Sequence, residues 1–143
     1  MRVFSFVVIG LALCVGACGG GSSSPSSPTA PSANAPFSTI DLRVGTGAEA
    51  TIGRLVNVNY SGWVWDSLGT DNKGSRFDAG TFSFTVGQGV IQGFSQGTIG
   101  MRVGGLRRVV VPPSLGYGNS PPANSNIRPN ETLIFEIELL AVQ

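Results

Sequence analysis

One passage constrains this chain more than any other: Phe82 to Met101, FSFTVGQGVIQGFSQGTIGM. Phe82, Phe84 and Val86 alternate with Ser83 and Thr85, the period of a strand with one buried face. The alternation stops at Gly87, and Val90, Ile91 and Phe94 follow at the spacing of a short apolar helical turn. A helix placed near Ile91 to Ile99 is too short to persist alone in water, and Gly93 and Gly97 each weaken it by about 1 kcal/mol relative to alanine. Such a helix has to be wrapped by a sheet. The loop before it presents Val90-Ile91 and then an aromatic residue at the mouth of that sheet, an apolar platform with free backbone N–H groups.

Four further runs share the strand period. Ile40, Leu42 and Val44 alternate with Thr39, Asp41 and Arg43 until Gly45-Thr46-Gly47 ends the run. Val56, Val58 and Tyr60 fall on one face, with Asn57 and Asn59 on the other. Leu106 to Val111 is closed by Pro112-Pro113, which cannot donate to a ladder. Leu133, Phe135, Ile137 and Leu139 lie opposite Glu136 and Glu138. Trp63 and Trp65 have the same parity and are expected on one side of their strand, either as packing on a half-buried surface or as a surface that touches substrate. Asn119 to Glu131 reads as a long turn-rich loop of the kind that carries function on a rigid scaffold.

Charge and composition exclude several kinds of chemistry. Only 12% of the 143 residues are charged and the formal net charge is +1, so the chain has no electrostatic footprint for nucleic acid. It contains no histidine, which removes Ser-His-Asp triads, Cys-His pairs and His-ligated metals as a class. Chemistry is left to tyrosine, carboxylates and the backbone, and no cofactor or metal is expected. GQGVIQG has the look of a dinucleotide-binding glycine run, but it does not fit G-x-G-x-x-G and no βαβ unit surrounds it.

The N-terminal segment is of a different kind. Arg2 precedes an apolar run from Val3 to Val15, shorter than the ~20 residues a spanning helix needs, and small residues precede Cys18. Residues 1–17 are read as a signal peptide. Val15-Gly16-Ala17-Cys18 resembles a bacterial lipobox, which implies cleavage before Cys18 and lipid on that cysteine; a plain secretory signal and an uncleaved anchor are the alternatives. All three export the domain, with a lipid-anchored place in the cell envelope expected, and Gly19 after the cysteine resembles outer-membrane sorting where two membranes exist. After such a cleavage Cys18 would be the only cysteine left, so no disulfide could staple the fold. Residues 18–36, rich in Gly, Ser and Pro, read as a disordered tether with a reach of roughly 20–25 Å. Composition changes at Phe37, and residues 37–143 form the expected domain.

Within that domain, VGQGVIQGF resembles the V-I-x-G-W signature of the FKBP family, the macrolide-binding peptidyl-prolyl cis-trans isomerases. Other passages resemble the family in the same order. Tyr60-Ser61-Gly62 is similar to its H-Y-T-G strand end, with Asn59 where histidine is common, and Arg76-Phe77-Asp78 to its (K/R)-F-D motif. Pro113 to Gly118 is similar to its proline-to-Tyr-Gly turn, and Thr132 to Leu140 to its closing strand. Three departures stand out. The connection from Trp63 to Arg76 is longer than the family's short turn by roughly seven residues, which suggests a longer hairpin or loop. Only Ala79-Gly80-Thr81 separates Asp78 from Phe82, without the arginine that pairs with this aspartate in longer members, so Asp78 needs a tyrosine hydroxyl, a backbone donor or water. Phe94 stands where many members have tryptophan, which implies a deeper floor without the indole N–H.

The resemblance implies an α+β fold: an antiparallel β-sheet of five to six strands wrapped around one short α-helix, with an aromatic pocket between them. It implies a proline ring on Phe94, walled by Tyr60, Phe77, Val90, Ile91 and Phe135 with Phe82 at the side. The Ile91 N–H and the Tyr117 hydroxyl would donate to substrate carbonyls, Asp78 would orient the polar edge, and Ile127 would lie at the rim. The expected function is isomerisation of X-Pro bonds in exported proteins by a monomer that takes proline-containing polypeptides and macrolides such as FK506. The alternatives are a non-catalytic binding or holdase module on the same fold, and a structural envelope lipoprotein with a vestigial pocket.

Overall fold

In the computed structural model the described residues are 35–143, so the expected signal peptide, the lipid attachment at Cys18 and all but the end of the tether lie outside them. Five strands and one helix follow in the order β1 (Ser38–Arg43), β2 (Leu55–Trp65), β3 (Lys73–Thr85), α1 (Gln92–Thr98), β4 (Leu106–Val111) and β5 (Leu133–Val142). The strands form one antiparallel sheet in the spatial order β1-β4-β5-β2-β3. Helix α1 sits within the expected stretch, with Ile91 and Ile99 as its caps.

Directly opposed residues of an antiparallel pair share a face. Val58 opposite Phe82 and Leu139, and Phe135 opposite Val109, therefore build one continuous inner face. Val56, Val58, Val109, Val111, Leu133, Ile137 and Leu139 are all buried on it. Helix α1 covers this face at very short range. A Cβ on Gly93 would lie 2.4 Å from Val111 Cγ1, and one on Gly97 would lie 2.5 Å from Val109 Cγ2. The glycines that weaken the helix by propensity are what let it lie on the sheet. Arg107 closes the far end of the helix, donating to the carbonyls of Gly97 (3.0 Å) and Ile99 (2.9 Å) and to the carboxylate of Asp41 (2.6 Å). A cation there satisfies carbonyls that have no partner within the helix.

Strand β1 has the expected period, but its apolar residues are not buried. Ile40 and Leu42 are 57% and 42% exposed, and every residue of the strand is accessible. The register explains this: Asp41 lies opposite Arg107 on the helix side, which turns Ile40, opposite Arg108, to the outer face. A bulge between Asp41 and Arg43 then interrupts the alternation.

The long connection between β2 and β3 is a hairpin whose tip is turned by Asp66, which accepts the Leu68 N–H at 2.9 Å, and by Asp71 and Asn72 at φ of 57° and 58°. Aspartate and asparagine tolerate that left-handed backbone better than most residues. Arg108 of β4 reaches Asp71 at 3.1 Å and Glu136 at 2.9 Å, and Lys73 reaches Glu136 at 2.6 Å, so the tip is tied across the outer face of the sheet. Trp63 and Trp65 are half-buried and stand outside the main core, with the Lys73 ammonium 4.3 Å from the Trp63 ring centre. The extra residues where the ladder slips belong to β3, while β2 runs in unbroken register with β5 here (Trp63 opposite Ile134, Val64 opposite Leu133), so Trp63 and Trp65 keep the same parity.

These ion pairs make stability depend on acidity in a defined direction. The Arg107 hydrogen bond holds the Asp41 carboxyl below its ordinary range. For Glu136, burial pushes the pKa up, but the hydrogen bonds from Lys73 and Arg108 outweigh it and hold it low. A depressed carboxylate contributes stability that is complete above its unfolded pKa of about 4 and is lost as pH falls through the lower folded value. The urea midpoint is therefore expected to be lower at about pH 3 than at about pH 6, and Glu136→Gln should show a smaller drop than the unaltered chain.

Candidate active site

Between the inner face of the sheet and the start of α1 lies a cavity of about 80 Å³. A water's share of liquid volume is about 30 Å³, so this is room for a few waters or one small ring. It is lined by Tyr60, Phe77, Asp78, Phe82, Val90, Ile91, Phe94, Tyr117 and Phe135, the same nine residues singled out from the sequence. They come from β2, β3, α1 and its approach, β5 and the turn after β4.

Phe94 is the floor, only 3% exposed. Its ring stands edge-on to Tyr60 (5.7 Å between centres, 88°), Phe135 (5.1 Å, 87°) and Phe84 (5.6 Å, 66°). Phe135 meets Phe77 edge-on at 5.6 Å, and Phe82 meets Tyr60 at 5.3 Å. These edge-to-face arrangements are favourable beyond the area they bury and fix each ring against its neighbours. The cup is thus pre-formed.

Polar groups are few. The Tyr60 hydroxyl donates to Asp78 Oδ2, and the Ala79 N–H donates to Oδ1 at 2.9 Å. Two of the three expected holders of Asp78 are thereby present, and the carboxylate forms no ion pair among the described residues. Burial and then the Asp78 carboxylate push the Tyr60 hydroxyl far above its ordinary pKa. The same two causes raise that of Tyr117. Both hydroxyls therefore remain protonated donors at neutral pH. The Tyr117 hydroxyl and the Ile91 N–H have no acceptor among the described residues, which leaves two donors at the lip of an apolar cup.

Ile127 does not line the cavity itself but the depression that adjoins it. It is 7% exposed there, with Phe77, Asp78 and Tyr117 at the depression's near edge and Pro122 to Ser125 at its far edge. Two supports were not read from the sequence. Gly62 lies under the walls: a Cβ there would meet Phe77 Cζ at 2.6 Å and Phe135 Cε1 at 3.1 Å. A glycine inside a strand is the signal that points to such a close approach. Ser95 Oγ accepts the Gly87 N–H at 2.7 Å and pins the loop that carries Val90 and Ile91.

Residues 47–140 match the family model for FKBP-type peptidyl-prolyl cis-trans isomerase. An FK506-binding protein of Neisseria meningitidis serogroup B is 41% identical over 102 residues, which cover 71% of this chain and 92% of the relative. Among solved structures, a peptidyl-prolyl cis-trans isomerase from Pseudomonas syringae pv. tomato aligns with a TM-score of 0.63 at 30% identity, over 75% of each chain. FkpA from Escherichia coli aligns with a TM-score of 0.61 at 33% identity; the match covers 75% of this chain and 48% of FkpA, so this chain spans about half of that protein's length. The chain belongs to the FKBP-type peptidyl-prolyl cis-trans isomerase family.

Proposed function

We propose that this chain catalyses cis-trans isomerisation of X-Pro peptide bonds in exported polypeptides, as a monomer held at the cell envelope through lipid on Cys18. The observation that carries the catalytic part is the composition of the cup: six aromatic rings and two aliphatic side chains around one carboxylate, with two unengaged donors at the lip.

That composition suits the reaction. Rotation about an X-Pro bond breaks amide resonance at a barrier of about 18–20 kcal/mol, and it takes tens to hundreds of seconds unaided. No bond to the protein has to form. The twisted amide has less charge separation than the planar one, so a site that removes it from water and fits the twisted form lowers the barrier. Proline stacks on Phe94 between Tyr60, Phe82 and Phe135, while the Ile91 N–H and the Tyr117 hydroxyl hold carbonyls on either side of the rotating bond. Asp78, oriented by Tyr60 and Ala79, marks the polar edge. The macrolide FK506, for which the meningococcal relative is named, would compete for the same cup.

Protease-coupled isomerisation of a short Leu-Pro peptide, with and without FK506, tests this. Catalysis abolished by the drug is the expected result; a folded protein without catalysis would shift the assignment to a binding module. Tyr117→Phe removes one hydrogen-bond donor from the lip and leaves the ring. It should lower kcat/KM by about two- to tenfold, the range of a single net hydrogen bond.

The export part rests on the sequence of residues 1–36. Metabolic labelling with a radioactive fatty acid, compared between the unaltered chain and Cys18→Ala, tests the lipid. Label retained by Cys18→Ala would overturn it.

A further inference from the structure

Helix α1 carries Phe94 on its inner side and a second surface on its outer side. There Ile52, Val90, Ile99, Gln92 and Gln96 line a groove of about 360 Å³ that contains no charged side chain. Ile52 is 73% exposed and Ile99 38% exposed, although both are large apolar residues. Val90 lines this groove and also the proline-sized cavity, so one side chain separates the two. The backbone beside it is open, since a Cβ on Gly89 would meet nothing within 4 Å. The Gly87 N–H, bonded to Ser95 Oγ at 2.7 Å, ties the loop before the helix to the helix on this side. Gln92 and Gln96 are exposed, one helical turn apart. Their primary amides can pair with both the N–H and the C=O of an extended chain.

We propose that this groove is a second subsite for the substrate polypeptide. It takes an apolar, uncharged side chain of the same chain whose X-Pro bond occupies the cup, with the intervening backbone crossing Val90. Continuity through Val90 favours the substrate over an unrelated partner, and the absence of charge matches the apolar segments that an unfolded client exposes. This inference rests on the isomerase reading, and it makes the protein prefer long apolar clients to short peptides with the same Leu-Pro core.

The test is a peptide series run with the full chain. A Leu-Pro core is extended on either side by Gly-Ser spacers of increasing length, ending in leucine or in glutamate. For one side and one spacer length, the leucine peptide should gain about five- to twentyfold in kcat/KM over the short peptide, mainly through KM, and the glutamate peptide should not. Ile52→Asp, in an exposed turn outside the cup, should erase that gain and leave the short peptide's rate within about twofold. Equal rates for short and leucine-extended peptides, or a gain that survives Ile52→Asp, would overturn the subsite. If even the short peptide is not turned over, the isomerase reading fails separately. Anisotropy of a labelled leucine-extended peptide, wild type against Ile52→Asp, then still reads the groove: equal affinity overturns it, weaker binding by the variant supports it.

Discussion

Phe135→Ala is expected to reduce kcat/KM for a Leu-Pro peptide by about 10- to 100-fold, a loss of roughly 1.4–2.7 kcal/mol in transition-state binding. Phe135 is 4% exposed and touches three other rings of the cup, Tyr60, Phe77 and Phe94. Truncation removes a wall and frees the Phe77 and Phe94 rings from the edge contacts that orient them. It also opens a void in the core, which costs about 3–5 kcal/mol for a buried phenylalanine. The rate is therefore measured at low temperature, after circular dichroism has confirmed the fold. Phe135→Leu, which fills part of the space, should retain more activity than the alanine variant. A folded Phe135→Ala with an unchanged rate would remove the cup from the mechanism.

Gly93→Ala sets two effects against each other. Helix propensity alone favours alanine by about 1 kcal/mol. Contact opposes it: the new methyl would lie 2.4 Å, 2.9 Å and 3.1 Å from the three side-chain carbons of Val111. Val111 is fully buried on β4 and cannot swing aside, so the helix must lift from the sheet, and overpacking of this kind costs about 1–3 kcal/mol or more. Net destabilisation of up to about 2 kcal/mol is expected, read as a lower urea midpoint, together with slower catalysis because Phe94 rises with the helix. Val111→Ala in the same chain should recover part of the loss, since the two side chains share one space. An increase in stability in Gly93→Ala alone would show that the helix is free to move.

The sequence carries the strands and the cup unequally. Alternation locates β2, β3, β4 and β5 because each has one face on the same core, and the period of the side chains then agrees with burial. β1 has the same period, but which of its faces meets protein depends on Asp41 finding Arg107 sixty-six residues away. No local pattern contains that. The nine lining residues were legible because they fall within recognisable motifs, eight as aromatic or aliphatic side chains and Asp78 as the acid beside Phe77. The groove beside them was not, since Ile52 and Ile99 are single apolar residues in turns and only the folded chain brings them to Val90. Tyr60 as the partner of Asp78 was one of several options from sequence, and the opposition of Gly62 and Asp78 across β2 and β3 is what brings the hydroxyl within reach.

The last of the five strands along the chain, β5, is the middle one in space, with β4 on one side and β2 on the other. The four earlier strands therefore split into two separate pairs until β5 arrives to join them. Neither pair holds a complete cup, because Phe135 and one whole flank of the core come with β5 itself. Until its final strand is free, a growing chain of this kind lacks both the middle of its sheet and a wall of its cup, and the contacts that complete them join residues distant in sequence, which slows closure.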